Sequence, residues 1–343
     1  MNRRLALTKD GRMTWCTAPE DKIGIGRCNH ISHQYNGESP ESFGIRAESY
    51  LNALEDIENL KNIDSYKKIS NHISLYGMQT KFYNEKTDEY IKLDSNKVFE
   101  GLGEELVSLF LDNTNINHVK YKTDYVLYKN KPKTCCISKN FKKEGEIHIT
   151  FHDLISNEEI KNLYKNKSMK QQFDSLLNFI YSKIEKSGGK INKNDIRSYM
   201  LKTIALDCIV LNPDRHMGNL GFVVDKNNNW RPNPQFDNGL ALCTNFKDNM
   251  YNLKLDYEKC QNLVPMSMFL SDDPEDYINL YFECLNEKAS KNDIIFVNDR
   301  NKLLESIKKY ENDIYGLDVV NRSKNILLNR LIQLEGSLWM QKE

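Results

Sequence analysis

Residues Leu211 to Thr244 read LNPDRHMGNLGFVVDKNNNWRPNPQFDNGLALCT, and the rest of the chain is read outward from them. Two short polar boxes stand out, Asp214-Arg215-His216-Met217-Gly218-Asn219 and Phe236-Asp237-Asn238-Gly239. Between them Leu220 to Val224 is an apolar run of strand length, followed by a polar turn at Asn227-Asn228-Asn229. Ahead of them Ile196 to Leu211 reads as a mostly apolar helix. A carboxylate, an amide five residues on and a second carboxylate after a hairpin suit a Mg²⁺-nucleotide site, since Mg²⁺ takes oxygen ligands from one or two side chains plus phosphates. Either box alone is weak, because an isolated Asp-Asn-Gly is commonly a tight turn. Their order, the strand-turn segment between them and the helix before them make the pair specific.

D-R-H-x-x-N followed by F-D-N-G resembles the catalytic and metal-binding loops of HipA-like serine/threonine kinases, relatives of eukaryotic protein kinases and phosphatidylinositol kinases. The resemblance implies that Asp214 is the catalytic base, that Asn219 and Asp237 hold Mg²⁺ and that His216 shapes the loop. It also implies ATP as phosphoryl donor and a protein serine or threonine as acceptor. Many members act as toxins neutralised by a DNA-binding partner, so such an antitoxin-type partner is expected too. Asp237 is expected to face solvent among clustered negative charge.

Upstream, Ile73 to Lys81 carries Ser74, Gly77, Gln79 and Lys81 at the offsets of the family's nucleotide-covering loop. Gly77 has no Cβ to keep the backbone from phosphate, and Lys81 adds positive charge. A plain turn between strands fits these residues equally well. In the family a serine at the offset of Ser74 can be autophosphorylated, and the added charge drives the loop off the nucleotide; the alternative is that Ser74 simply ends a strand. Lys81-Phe82-Tyr83 and Glu89 to Leu93 form a hairpin around a polar turn. Lys92 in its second strand is the candidate phosphate-binding lysine. Glu100 to Leu111 then reads as an amphipathic helix with acidic residues in its first turn. Lys92, Asp94 and Glu100 to Glu104 resemble the family's K-x-D … E-G-L-x-E run, which implies that Glu104 pairs with Lys92, with Glu105 as the fallback. Gly101 and Gly103 are poor helix formers and leave the helix start open.

The 343 residues allow one large or two to three small domains. Lys plus Arg equals Asp plus Glu at 48 each, which gives no support for direct nucleic-acid or anionic-membrane binding. No apolar run is long enough to span a bilayer, and the N-terminus lacks the apolar core of a signal peptide. A cytoplasmic protein is the default, with secretion by another route left open. The eight cysteines are scattered in the manner of reduced, buried thiols.

Residues 1–45 read as a small extension: a hairpin around Asp10-Gly11, then a segment with Cys28, His30 and His33. Together with Cys16 these form a candidate zinc set, although the spacing C-x11-C-x-H-x2-H matches no familiar finger. One buried cysteine beside a hydrogen-bonded histidine pair is the alternative. Phe43 to Lys61 reads as an amphipathic helix. His118 to Tyr121, Tyr125 to Tyr128 and Thr134 to Ser138 read as strands, and Glu146 to Phe151 as the strand at an interlobe hinge. Helices are expected at Phe173–Ile184, Ile196–Leu211, Leu263–Leu270, Tyr277–Leu285, Arg300–Tyr310 and Val319–Met340.

The expectation is an α+β, bilobal protein-kinase-like fold: an antiparallel β-rich small lobe over residues 46–150, a helical lobe over 151–343, and the N-terminal extension. The alternatives are a lipid or small-molecule kinase, sharing D-R-H-x-x-N, and a catalytically weak kinase-fold binding module.

Overall fold

The computed structural model describes residues 4–17, 30–35, 37–69, 79–95, 98–245, 269, 271 and 273–342. The chain opens with β1 (Arg4–Thr8), β2 (Met13–Cys16) and β3 (His30–His33), a three-stranded antiparallel sheet in the order β2-β1-β3. Helix α1 (Pro40–Glu55) follows, capped by the Ser39 side chain with Pro40 in the first turn. Its Phe43 and Ala47 pack on Leu7 of β1. The helix ends at Glu55 rather than running to Lys61, because Lys61–Asn62 extends as β4 to pair with β8.

A six-stranded sheet forms the small lobe, with β5 (Lys67–Ile69), β6 (Lys81–Asn84), β7 (Glu89–Leu93), β8 (Tyr121–Tyr128) and β9 (Lys131–Lys139) in the order β4-β8-β9-β7-β6-β5. All its pairs are antiparallel except β4 with β8. The two segments expected at 118–121 and 125–128 are one continuous strand from Tyr121. His118 lies outside it and bridges Gln235 instead. The sheet has its own apolar core of Ile63, Phe82, Ile91, Leu93, Val126 and Cys135.

Helix α2 (Glu100–Leu111) has the bounds expected from its periodicity. Phe99, Leu102, Leu106, Val107 and Phe110 belong to one core with the helices of the second lobe. The helix that borders the small sheet is therefore anchored in the large lobe's interior.

The chain crosses between lobes at residues 140–146, before β10 (Ile147–Thr150). That strand pairs with β11 (Gly221–Val224), and β11 with β12 (Trp230–Pro232), so β10 belongs to the large lobe rather than to a hinge. Helices α3 (Phe151–Leu154), α4 (Asn157–Tyr164) and α5 (Met169–Lys186) each begin with a reciprocal capping box: Thr150 with Asp153, Ser156 with Glu159, Ser168 with Gln171. Helix α6 (Lys193–Val210) is buried along most of its length. It stops at Leu211, which adopts a left-handed φ of 51°. Helices α7 (Pro274–Glu287), α8 (Arg300–Lys309) and α9 (Leu317–Gln333) complete the lobe. The last was expected to reach Met340. It ends at Gln333, and after Gly336 at φ 77° the chain turns into β14 (Trp339–Gln341), parallel to β13 (Ile295–Val297). The helix expected at Leu263–Leu270 falls almost wholly outside the described residues. Six cysteines among the described residues are buried. No described helix is long and apolar enough to cross a membrane.

Candidate active site

The sheet of β10, β11 and β12 positions both polar boxes. Asp214 to Asn219 lies between the end of α6 and the start of β11, and Asp237 follows the end of β12. A three-residue 3-10 turn at Met217–Asn219 closes the first box. The backbone N–H of Gly218 donates to His216 Nδ1 at 3.0 Å, and Asn219 Nδ2 donates to the Asp214 carbonyl at 3.1 Å. That bond fixes the Asn219 side chain and leaves its amide oxygen as an acceptor.

Arg215 joins the two boxes. It is 1% exposed and bonds Asp207 of α6 through Nε at 3.1 Å, the Phe236 carbonyl at 2.8 Å and Asn238 Oδ1 at 2.6 Å. A planar guanidinium with five donors suits this three-way bridge, and a lysine could not reproduce it.

The opposite wall comes from the small lobe. Lys81 on β6 and Lys92 on β7 are directly opposite in register, so both side chains leave the same face of the sheet. Lys92 Nζ lies 2.6 Å from Glu104 Oε1, 2.8 Å from Asp237 Oδ1 and 3.3 Å from the Tyr121 hydroxyl. Lys81 Nζ is 3.7 Å from Asp237 Oδ2. Asp237 was expected to face solvent amid negative charge. It instead sits between two cations, because the hairpin register delivers both lysines to it. The other oxygen of Glu104 accepts the Asn238 N–H at 2.8 Å, tying α2 to the second box. Glu105 turns away to Thr123, Tyr310 and Asn312.

The two glycines of α2 make this closeness possible. A Cβ on Gly103 would stand 2.6 Å from the Gly239 carbonyl oxygen, and one on Gly101 would strike the Tyr315 hydroxyl. Asp94, two residues beyond Lys92, accepts the Gly101 N–H at 2.7 Å and the Tyr315 hydroxyl at 2.8 Å, so it serves the first turn of α2.

Burial and charge set the protonation states. Burial, aided by the neighbouring Asp237, raises the Asp214 carboxyl to about 6. Burial works against ionisation of Asp237 too, but Lys81 and Lys92 outweigh it and hold that carboxyl well below its ordinary value. For Lys92 burial opposes the charge, yet Asp237 and Glu104 raise it well above the usual lysine range, so it is a cation. Burial raises Glu104. Burial also lowers the His216 imidazole, which favours its neutral form.

Gln79, Lys81, Lys92, Asp214, His216, Asn219 and Asp237 all line one cleft of about 480 Å³ between the lobes, a size in the range of small-molecule sites. Glu104 stands behind Lys92. Ser74, Gly77 and Cys28 lie outside the described residues. Sequence reasoning missed the aromatic wall: Phe141 stacks on Phe236 at 5.7 Å, with His148 edge-on to both. Burial, then nearby Lys142, brings His148 down to about 4, so this wall is uncharged. Only the chain crossing at 140–146 brings Phe141 to Phe236, and no local pattern marks it. The partner of Lys81 was recoverable, since counting outward from the Asn84–Glu89 turn pairs it with Lys92.

A Mg²⁺-nucleotide fits these residues. Asp237 is a preformed anionic oxygen donor, Asn219 offers an amide oxygen, and two lysines face the same point. The buried Nε2 of Gln79 at the cleft wall has no hydrogen-bond partner among the described residues, a donor available to an anionic ligand.

No sequence-family model and no curated protein sequence matches this chain. Among solved structures it is similar to the Helicobacter pylori proinflammatory kinase CtkA, at 15% identity and TM-score 0.46, covering 80% of this chain and 99% of that one. It is also similar to a chain of the Shewanella oneidensis MR-1 toxin–antitoxin complex of HipA, HipB and operator DNA. There the identity is 13% and the TM-score 0.43, with 83% of this chain and 70% of that one covered. A small sheet on a helical lobe, a strand lysine paired with a helix glutamate, and two polar loops facing them across a cleft give the chain a bilobal, kinase-like α+β fold of the kind its HipA-like sequence motifs imply.

Proposed function

We propose that the protein is an ATP- and Mg²⁺-dependent phosphotransferase acting on a serine or threonine hydroxyl of a protein. The observation that carries this reading is Lys92 Nζ, held 2.6 Å from Glu104 and 2.8 Å from Asp237. A strand lysine tied to a helix glutamate, beside a carboxylate able to hold Mg²⁺, is the arrangement that phosphoryl transfer from a nucleotide needs. When bound, the Mg²⁺-nucleotide supplies the phosphoryl group and the metal's neutralising charge.

The chain's own residues do the rest, with the nucleotide in the cleft between the two lobes. Lys92 and Lys81 would face the phosphates, Asp237 and the Asn219 amide oxygen would hold the metal, and the Phe141–Phe236 wall would offer a face for the base. Asp214 orients the acceptor hydroxyl and takes its proton. Its carboxyl, raised to about 6, is ionised at neutral pH and more basic than an ordinary aspartate, which suits a general base. His216 stays neutral and fastens the loop through Gly218. Positioning and fixed charge supply most of the rate. The sequence resemblance also nominates a DNA-binding protein as partner.

The test is incubation with Mg²⁺ and γ-labelled ATP, followed by phosphosite mapping in cells expressing the wild type against Asp214→Asn. Phosphoserine or phosphothreonine dependent on Asp214 is expected, and label entering lipid instead would replace the protein substrate. Asp237→Ala should abolish Mg²⁺-dependent turnover with the fold intact, because Lys92 keeps Glu104 and Lys81 is free to reach water. Wild-type turnover in Asp237→Ala would overturn the assignment.

A further inference from the structure

The N-terminal sheet holds a second cluster of chemically capable side chains, unconnected with the cleft. We propose that Cys16, His30 and His33 form a zinc site that fastens the two outer strands of this sheet. One donor atom from each of the three lies within 4.8 Å of the others. Zinc bonds of about 2.0–2.3 Å at tetrahedral angles place donors roughly 3.3–3.8 Å apart, so closing the set takes side-chain movement on the order of 1 Å.

The backbone explains how these three meet. Cys16 ends β2 and the histidines bound β3, and both strands flank β1. Histidines three apart on a regular strand would point to opposite faces. Here the register shifts between Leu7 and Thr8: Ala6 faces His33, Leu7 faces Ser32, and Thr8 faces His30 with Ile31 passed over. This one-residue bulge turns His30 to the side of His33, a re-aiming for which bulges are used. The two rings then stand edge to face with centroids 5.2 Å apart.

Ala6 lies on the same face of β1 and packs on Cys16. The next residue, Leu7, points the other way into the core with Phe43 and Ala47. Strand β3 is itself pinned from behind. Arg46 of α1 donates to Ser32 Oγ at 2.9 Å and to the His33 carbonyl at 3.0 Å, and is held by Glu38 at 2.9 Å. The histidines therefore sit on a backbone fixed by a buried ion pair, which is the support a metal site needs.

One thiolate and two neutral imidazoles are a borderline-soft set that suits Zn²⁺ and disfavours Mg²⁺ or Ca²⁺. Binding converts the Cys16 thiol to thiolate and releases its proton to water.

The experiment uses the full chain, purified without chelator and without a metal-affinity step. Elemental analysis should give about one zinc per chain. Exchange of zinc for Co²⁺ should produce a thiolate-to-cobalt charge-transfer band. Cys16→Ser should lose the band, and His33→Ala should lose most of the bound metal, while circular dichroism reports that each variant is folded. Should either variant fold poorly, titration of wild-type protein with Zn²⁺ against a chromophoric chelator still decides the matter. Folded wild-type protein that carries no zinc and takes up neither ion overturns the proposal. So does full zinc occupancy in folded Cys16→Ser and His33→Ala.

Discussion

Lys92→Met removes a buried cation and keeps most of the side chain's volume. In the wild type the lysine is 6% exposed and Glu104 1% exposed, and the two are 2.6 Å apart. Without Lys92, Glu104 keeps only the Asn238 N–H as a close partner and faces Asp237 as a like charge. Removing one partner of a buried pair costs about 3–5 kcal/mol, because the other charge is left uncompensated. With an unfolding entropy of about 2.1 cal/mol/K per residue over 343 residues, that is a fall of roughly 4–7 °C in Tm at neutral pH. The pH dependence identifies the cause. Burial already raises Glu104 in the folded state, and losing Lys92 raises it further. A carboxyl raised on folding leaves stability intact below its unfolded value of about 4.3 and removes it as pH rises toward the folded value, since the native state there binds more protons than the unfolded one. The gap between Lys92→Met and wild type should therefore widen from pH 4.5 to 7. Adding Glu104→Gln should recover a large part of it at pH 7. Differential scanning fluorimetry of the three proteins across this range, without nucleotide, is the assay. If Lys92→Met matched the wild type at pH 7, or if the double variant were no better than the single one at every pH, the buried pair would not exist as described.

Phosphoryl transfer should rise with pH through about 6, the value to which burial lifts Asp214, because the base works only when deprotonated. Asp214→Asn should keep nucleotide affinity, lose this limb and slow transfer by on the order of 10² or more; a normal rate per bound nucleotide would show that Asp214 is a binding residue. Gly103→Ala should cost about 1–3 kcal/mol from overpacking and weaken nucleotide binding, since its Cβ meets the Gly239 carbonyl at 2.6 Å. Gly44→Ala in α1 meets nothing within 4 Å and should stabilise by about 0.5–1 kcal/mol. Thermal shift and nucleotide titration of the two variants side by side check both outcomes.

Much of this protein is written locally. The apolar spacing in Glu100–Leu111 and the Asn84–Glu89 turn specify a helix and a hairpin, because 3.6- and 2-residue periods reflect which face each element buries. The two polar boxes and Lys92 could be named from residue type and order, and Glu104 from the resemblance to the HipA-like run. What sequence alone left open depends on contacts between distant segments. Whether 118–128 holds one strand or two was settled by pairing with β9 along the whole of Tyr121–Tyr128. The end of α9 at Gln333 was set by β14 pairing with β13, a partner more than 40 residues upstream. The environment of Asp237 came from two facing lysines more than 140 residues earlier in the chain. Arg215, without an evident role in sequence, proved to be the bridge from α6 to both boxes. Gly101 and Gly103 looked like faults in a helix until Tyr315 and Gly239 were seen against them. Side-chain type and period are properties of a segment. Burial, ionisation and close approach are properties of what packs around it, and those were decided only when the lobes came together.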